Sequence, residues 1–231
     1  MRPSLLALIG LSLLAVPASA ASRPVVVELF TSQSCSSCPP AEALLTAFAR
    51  ERADLLPLAF HVTYWNRLNW RDTVSLPAAT ERQNAYAAQL GEGVFTPQMV
   101  VDGRRSVVGS QAGEVAAAIA QARKEVGDAT PIDFVRKGDA VVVTVGRGSG
   151  RGRLVLVGFD ADHRTRVTSG ENAGRDLTQS NVVRSVRAIG DWTGAARTFS
   201  EPVPVGADAA VILQADDGRI LGAARLAKAG S

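Results

Sequence analysis

The stretch Val25–Leu45, VVVELFTSQSCSSCPPAEALL, decides how the rest of the chain is read. Val25 to Phe30 is a β-branched apolar run of the kind that forms a buried strand. TSQSCSSCPP follows, full of turn and capping residues, with Cys35 and Cys38 separated by Ser36 and Ser37. Pro39 and Pro40 suit the first turn of a helix, where a missing N–H costs nothing. AEALLTAFARER continues that helix, with Ala43, Leu44, Ala47 and Phe48 expected on its apolar stripe. The cysteine pair therefore falls between a strand and a helix. Cys35 is expected at the helix N-terminus, where unpaired N–H groups and the macrodipole favour a thiolate. A depressed pKa makes it both nucleophile and leaving group. Cys38, one helical turn on, is then placed to attack a mixed disulfide and release a substrate. A C-x-x-C also serves metals, but with no second pair and no nearby His a structural zinc site would lack ligands. Redox chemistry is expected, with no metal and no organic cofactor.

Upstream, residues 1–20 read as a signal peptide. Arg2 is followed by an apolar run from Leu5 to Val16 and by small residues ending Ala18-Ser19-Ala20. The run is shorter than the roughly 20 residues a membrane span needs, so no stable membrane anchor is expected after cleavage. The expected location is periplasmic or secreted. The chain has two cysteines, and in an oxidising compartment these are expected to form a Cys35–Cys38 disulfide. So small a loop gains little chain-entropy stabilisation from its bridge, which again favours redox use over a structural one. The formal charge of +3 is spread among 25 basic and 22 acidic residues, and no segment reads as a nucleic-acid surface. GRGSGRGR, from Gly146 to Arg153, reads as a Gly-rich hairpin loop.

Downstream, Leu55–Val62 reads as a strand, Leu76–Leu90 as a helix stopped by Gly91, QMVVDG and RRSVVG as a hairpin, and Gln111–Val126 as an Ala-rich helix. The order strand, helix, strand, helix, strand, strand, helix is that of a thioredoxin-like α/β domain, assigned to residues 21–128. From residue 129 to 231 only strand candidates appear: IDFVRK, AVVVTVGR, RLVLVGFD, NVVRSVRAIG, ARTFSEPVPV, AAVILQA and RILGAARL. They are expected to form an all-β sandwich of immunoglobulin-like type.

On that fold reading, Thr96-Pro97 is the cis proline segment that faces the cysteine pair and binds an extended substrate. Glu28, which interrupts the first strand, is a candidate proton relay, and His61 a candidate for tuning Cys35. Trp65 and Trp70 read as core or groove aromatics. The polar segment Thr168–Ser180, TSGENAGRDLTQS, is long for a loop among strands. It is expected to fold back toward the cysteine-bearing half and to fix the domain orientation or shape the groove near Cys35, with Glu171, Asn172, Arg175, Asp176 and, just beyond, Asn181 as the residues that core packing does not explain.

VVVELFTSQSCSSCPPAEALL, HVTYWNRLNWRD, VFTPQMVVDGR and GENAGRDLTQSNVVR together resemble a family of secreted bacterial thioredoxin-like proteins known only as a domain of unknown function. The resemblance covers nearly all of the chain after residue 20 and implies the thioredoxin-like fold and an extracytoplasmic location. It supplies no substrate. Ser36-Ser37 differs from the Gly-Pro of thioredoxin and the Pro-His of periplasmic oxidants, so the direction of electron flow stays open. The leading expectation is a thiol–disulfide oxidoreductase acting on protein or peptide thiols with an unknown redox partner. The alternatives are a non-catalytic binding or structural protein with a fixed disulfide, and a soft-metal chaperone.

Overall fold

In a computed structural model, which describes residues 23–127 and 129–227, the opening apolar run is strand β1 (Val25–Thr31), buried at every position. The expected signal peptide lies outside the described residues. Among those described, no helix is long and apolar enough to cross a membrane.

Strand alternation sends the β1 side chains to two different cores. Val25, Val27 and Leu29 pack with residues of helices α1 (Pro39–Glu51) and α3 (Ala112–Glu125). Val26 and Phe30 pack on the other face with Ala79 and Tyr86 of α2 (Pro77–Leu90). Strand β2 (Leu55–His61) lies parallel to β1, with Val25 opposite Leu55 and Thr31 opposite His61. Strands β3 (Gln98–Val101) and β4 (Arg105–Val108) form the expected hairpin. Its turn residues Asp102 and Gly103 take φ of 53° and 70°, the left-handed pair that a tight hairpin turn requires. The apolar stripe of α1 is shifted from the one expected: Ala41, Glu42 and Leu45 are buried, Leu44 and Phe48 partly so, and Ala43 is exposed.

The second half contains β5 (Ile132–Lys137), β6 (Ala140–Val145), β7 (Gly152–Arg166), β8 (Asp176–Trp192), β9 (Arg197–Pro202), β10 (Asp208–Gln214) and β11 (Ile220–Arg225). These strands do not close into a domain of their own. Strand β8 runs parallel beside β2, pairing at Ala59 and Val182, and the result is one eight-stranded sheet of order β11-β10-β7-β8-β2-β1-β3-β4. Val155, Val157, Phe159, Val183 and Ile212 share a core cluster with Val26, Phe30, Leu56, Leu58 and Phe60. The reason lies in β2, which is buried throughout and would otherwise end the sheet as an apolar edge with unpaired backbone groups. The change of composition near residue 129 thus marks a change of element type, and the core continues across it. The three-stranded sheet β5-β6-β9 stacks on part of the large sheet, with Phe134, Val143 and Phe199 against Leu154, Leu156, Trp192, Val211 and Leu213.

Two loop readings change with this topology. GRGSGRGR is a crossover between sheets and no hairpin, because β6 pairs with β5 and β9 while β7 pairs with β8 and β10. The segment Thr168–Ser180 is loop only as far as Arg175, since β8 already begins at Asp176. Strands β7 and β8, of 15 and 17 residues, form a long hairpin that carries its tip to the cysteine turn.

Candidate functional site

Cys35 and Cys38 are disulfide-bonded, with their Cα atoms 5.4 Å apart. Helix α1 starts at Pro39, so Cys38 holds the cap position and its carbonyl accepts the Ala41 and Glu42 amides at 2.9 and 3.1 Å. Cys35 stands one turn earlier than the helix N-terminus at which it was expected. Its N–H donates to Ser32 O at 3.1 Å and its carbonyl accepts the Cys38 amide at 3.2 Å. Cys35 and Cys38 are only 1% and 0% exposed, whereas Ser36 and Ser37 between them face solvent.

Behind this turn lies a buried polar network built by simple spacing. The parallel register places Thr31 beside His61, both on the α1 side of the sheet. On α1, Glu42 follows Cys38 by one helical turn and shares its buried face. Glu42 Oε1 accepts hydrogen bonds from Thr31 Oγ1 and Gln179 Nε2, both at 2.8 Å. Gln179, contributed by β8, also lies 3.4 Å from His61 Nε2. His61 Nδ1 meets Asp72 Oδ2 at 2.7 Å. Asp72 is fixed in turn by the Gln33 and Val74 amides at 2.8 and 2.9 Å. Burial pushes the Glu42 carboxyl above its usual range, further than His61 and the two hydrogen bonds pull it down. Burial works against charge on His61, but the charge and hydrogen bond of Asp72, with Glu42, outweigh it and hold His61 above its ordinary value. Burial would raise Asp72, yet His61 and the two amides keep it low.

Glu28 is not brought to the cysteines. It alternates to the opposite face of β1, where Arg82 donates to its two carboxylate oxygens at 2.5 and 3.1 Å and Tyr86 Oη donates to one of them. The arrangement of Glu28 with Arg82 and Tyr86 faces away from the disulfide, and the buried carboxyls on the cysteine side are Glu42 and Asp72. The Thr96–Pro97 peptide bond is cis. Pro97 lies beside the first turns of α1: a Cβ added at Gly109 would sit 3.2 Å from Ala41 Cβ and 3.5 Å from Pro97 Cβ. Trp65 Nε1 donates to Thr96 Oγ1 at 2.8 Å, which makes Trp65 a wall of that segment.

The hairpin tip at residues 167–175 closes over the cysteine turn from outside. Asn172 Nδ2 donates to the carbonyls of Gln33 and Cys35, both at 2.9 Å. Glu171 Oε2 accepts the Ser36 amide at 3.0 Å, and Ser169 Oγ donates to Asn69 O at 2.6 Å. Trp70 Nε1 donates to Gln33 Oε1 at 3.1 Å, and Ser34 Oγ donates to Trp70 O at 2.7 Å, so Trp70 supports the same turn. Arg175 is exposed and joins the tip through its backbone, donating to Asn172 O at 3.1 Å. Asp176 is held outward by Arg166 at 2.6 Å. Among the described residues, no three His, Cys, Asp or Glu side chains converge as a metal-ligand set.

Sequence reading did not single out Glu42, Asp72 or Gln179. The four-residue step from Cys38 would have found Glu42. Asp72 and Gln179 reach the site only through tertiary folding.

The family model described as "Protein of unknown function (DUF1223)" matches residues 26–214. Among solved structures, the chain is similar to a protein from Agrobacterium tumefaciens, at 31% identity and a TM-score of 0.79, over 94% of this chain and 98% of that one. It also resembles HBP35 of Porphyromonas gingivalis in fold, at 14% identity and a TM-score of 0.58, over 88% of this chain and 74% of that one. No curated protein matches the chain.

Proposed function

The chain belongs to the DUF1223 family, whose function is unknown, and on that premise we propose that it is a thiol–disulfide oxidoreductase of thioredoxin type, acting on protein or peptide thiols in the periplasm or outside the cell. The observation that carries the reading is the Cys35–Cys38 disulfide at the entry of α1, with the buried carboxyl of Glu42 one turn behind it. On reduction, the unpaired N–H groups of a helix start favour a thiolate; Cys38 holds that cap position and Cys35 stands one turn before it. The element order from β1 to α3 supports the thioredoxin-type fold. The leader pattern at residues 1–20 supports export.

In the reducing direction, the Cys35 thiolate attacks a substrate disulfide. A new Cys35–substrate S–S bond forms, and the second substrate sulfur leaves as a thiolate that takes a proton from solvent. Cys38 then passes its proton to Glu42 and attacks Cys35 Sγ. The Cys35–Cys38 bond forms, the first substrate sulfur departs, and the substrate has gained two electrons. The same steps reversed oxidise a substrate dithiol. Thr96-Pro97, beside α1, holds the substrate chain in this scheme.

A second reading is favoured by one observation, the near-complete burial of both sulfurs: a fixed disulfide on a binding scaffold. The test is turnover. Purified oxidised protein is mixed with a reduced peptide dithiol, and peptide oxidation is followed together with loss of the Cys35–Cys38 bond. Stoichiometric two-electron transfer, abolished by Cys35→Ser, supports the oxidoreductase. A disulfide that stays intact while the peptide stays reduced supports the scaffold.

A further inference from the structure

Thiol–disulfide exchange needs the incoming sulfur to approach the attacked sulfur in line with the bond that breaks, so it depends on access. Cys35 has almost none, at 1% exposure. The β7–β8 tip is tied to its turn, and the bonds it makes there are to the turn's backbone. Asn172, itself 0% exposed, takes the carbonyls of Gln33 and Cys35, and Glu171 takes the amide of Ser36. At Gly170, with φ of 77°, the tip passes so close to Trp70 that an added Cβ would sit 3.1 Å from Trp70 Cβ. The closed arrangement is also incompletely satisfied. Among the described residues Asn172 Oδ1 is buried without a hydrogen-bond partner, which weakens the closed state by the cost of an unpaired buried acceptor.

Resting on the exchange activity proposed above, we propose that the tip is a latch with Asn172 as its catch, and that it selects polypeptide thiols over low-molecular-weight thiols. Lifting the tip frees Gln33 O and the Ser36 N–H and leaves Cys35 O with the Cys38 amide as its remaining donor. A polypeptide carries both donors and acceptors in its backbone and can occupy these groups as it displaces the tip. A small thiol such as dithiothreitol replaces none of them and must wait for spontaneous opening. Asn172 and Glu171 are thus positioning residues that act through the Cys35 turn. The exchange step keeps its balance: the incoming thiolate bonds to Cys35 Sγ, the Cys35–Cys38 bond breaks, and Cys38 takes up the electron pair and then a proton.

The test compares second-order rates of Cys35–Cys38 reduction by dithiothreitol and by a reduced cysteine-containing peptide in the full chain. For Asn172→Ala the dithiothreitol rate is expected to rise at least tenfold, with a much smaller rise for the peptide, so that discrimination between the two collapses. Glu171→Ala, at an exposed side chain, is expected to give a smaller rise of about threefold in the same sense and keeps the test open if Asn172→Ala fails to fold. Asn181→Ala removes a buried bond to Pro57 O on β2, away from the tip, and is expected to lower stability without changing either rate. Unchanged dithiothreitol rates in the folded tip variants, equal rises for both thiols, or a rise in Asn181→Ala matching that in Asn172→Ala would each overturn the latch. Failure of the oxidoreductase reading looks different: wild type would then fail to exchange with the peptide at all, whatever the tip variants do with dithiothreitol.

Discussion

Two buried carboxyls on opposite faces of the same sheet, Glu28 and Glu42, have very different neighbours. Glu28, 0% exposed, is gripped by the Arg82 guanidinium and by Tyr86, and Gln214 donates to Tyr86 Oη at 3.0 Å from the second half of the chain. Every charge in that cluster has its opposite. Glu42, 4% exposed, receives, among the described residues, the neutral Thr31 hydroxyl and Gln179 amide, and the histidine that acts on it is already engaged by Asp72. Burial alone therefore does not mark a reactive acid; the partner set does. A carboxyl matched by a guanidinium is a stabilising clamp, and one held by neutral donors beside a disulfide is able to take and give a proton.

The largest expected difference between the two faces is in stability. Arg82→Ala strands Glu28 without its counter-charge and removes the guanidinium lying over Phe60 and Tyr86. It should cost about 3–5 kcal/mol in denaturant unfolding. It should leave the alkylation rate of reduced Cys35 unchanged, since nothing in that cluster reaches the cysteine face. A matching change in thiol reactivity would break the separation of the two faces.

A smaller effect, and one with a sign in pH, belongs to the cysteine face. His61 is held above its ordinary 6.5, so its contribution is complete below that pH and is lost as pH rises through the raised value. Glu42, raised from 4.5, contributes with the same sign: its share is present at low pH and fades as pH rises through its raised value. Asp72 is held below 3.8, and its share is lost only as pH falls through that lowered value. Wild-type unfolding free energy, measured by denaturation at a series of pH values, should decline as pH rises above 4.5 through the Glu42 share and further above 6.5 through the His61 share. His61→Gln should flatten that decline and cost about 1–3 kcal/mol near pH 6. A variant that keeps the wild-type slope would remove His61 from the account.

The smallest stability change is expected for Glu42→Gln, under about 1 kcal/mol at neutral pH, because the amide replaces a carboxyl whose burial disfavours charge. Its kinetic effect should be larger. Resolution of a mixed disulfide by Cys38 should slow by about a hundredfold, in the range for loss of a positioned proton acceptor. The comparison sharpens if Glu28→Gln, made in parallel, leaves that rate at the wild-type value.

Much of this was legible in the sequence, and the gaps have physical causes. The strand and helix flanking the cysteines, the Asp102-Gly103 hairpin and the seven later strands follow from local apolar periods and turn residues. Local patterns cannot say which strands become neighbours, so the joining of β8 to β2 was invisible, and with it the single shared core. The outer end of β7, from Ala161 to Arg166, lies beyond the strand candidate RLVLVGFD, and the outer end of β8, from Asp176 to Ser180, reads as loop; both are largely polar. They are strands because they pair with each other, register by register, from Asp160 opposite Val182 to Arg166 opposite Asp176. Glu28 drew attention because it broke an apolar run. Glu42 drew none because an acid near the start of a helix is ordinary, and only its four-residue step from Cys38 sets it apart.

Exchange through Cys35 is read most plainly by capturing its mixed-disulfide intermediate. Cys38→Ala and Cys35→Ala are each reduced, incubated with a disulfide-bonded peptide, quenched with acid and weighed by mass spectrometry. A stable mixed disulfide through Cys35 is expected in Cys38→Ala, and little or none through Cys38 in Cys35→Ala. Equal trapping by both variants, or trapping by neither, would contradict exchange through Cys35.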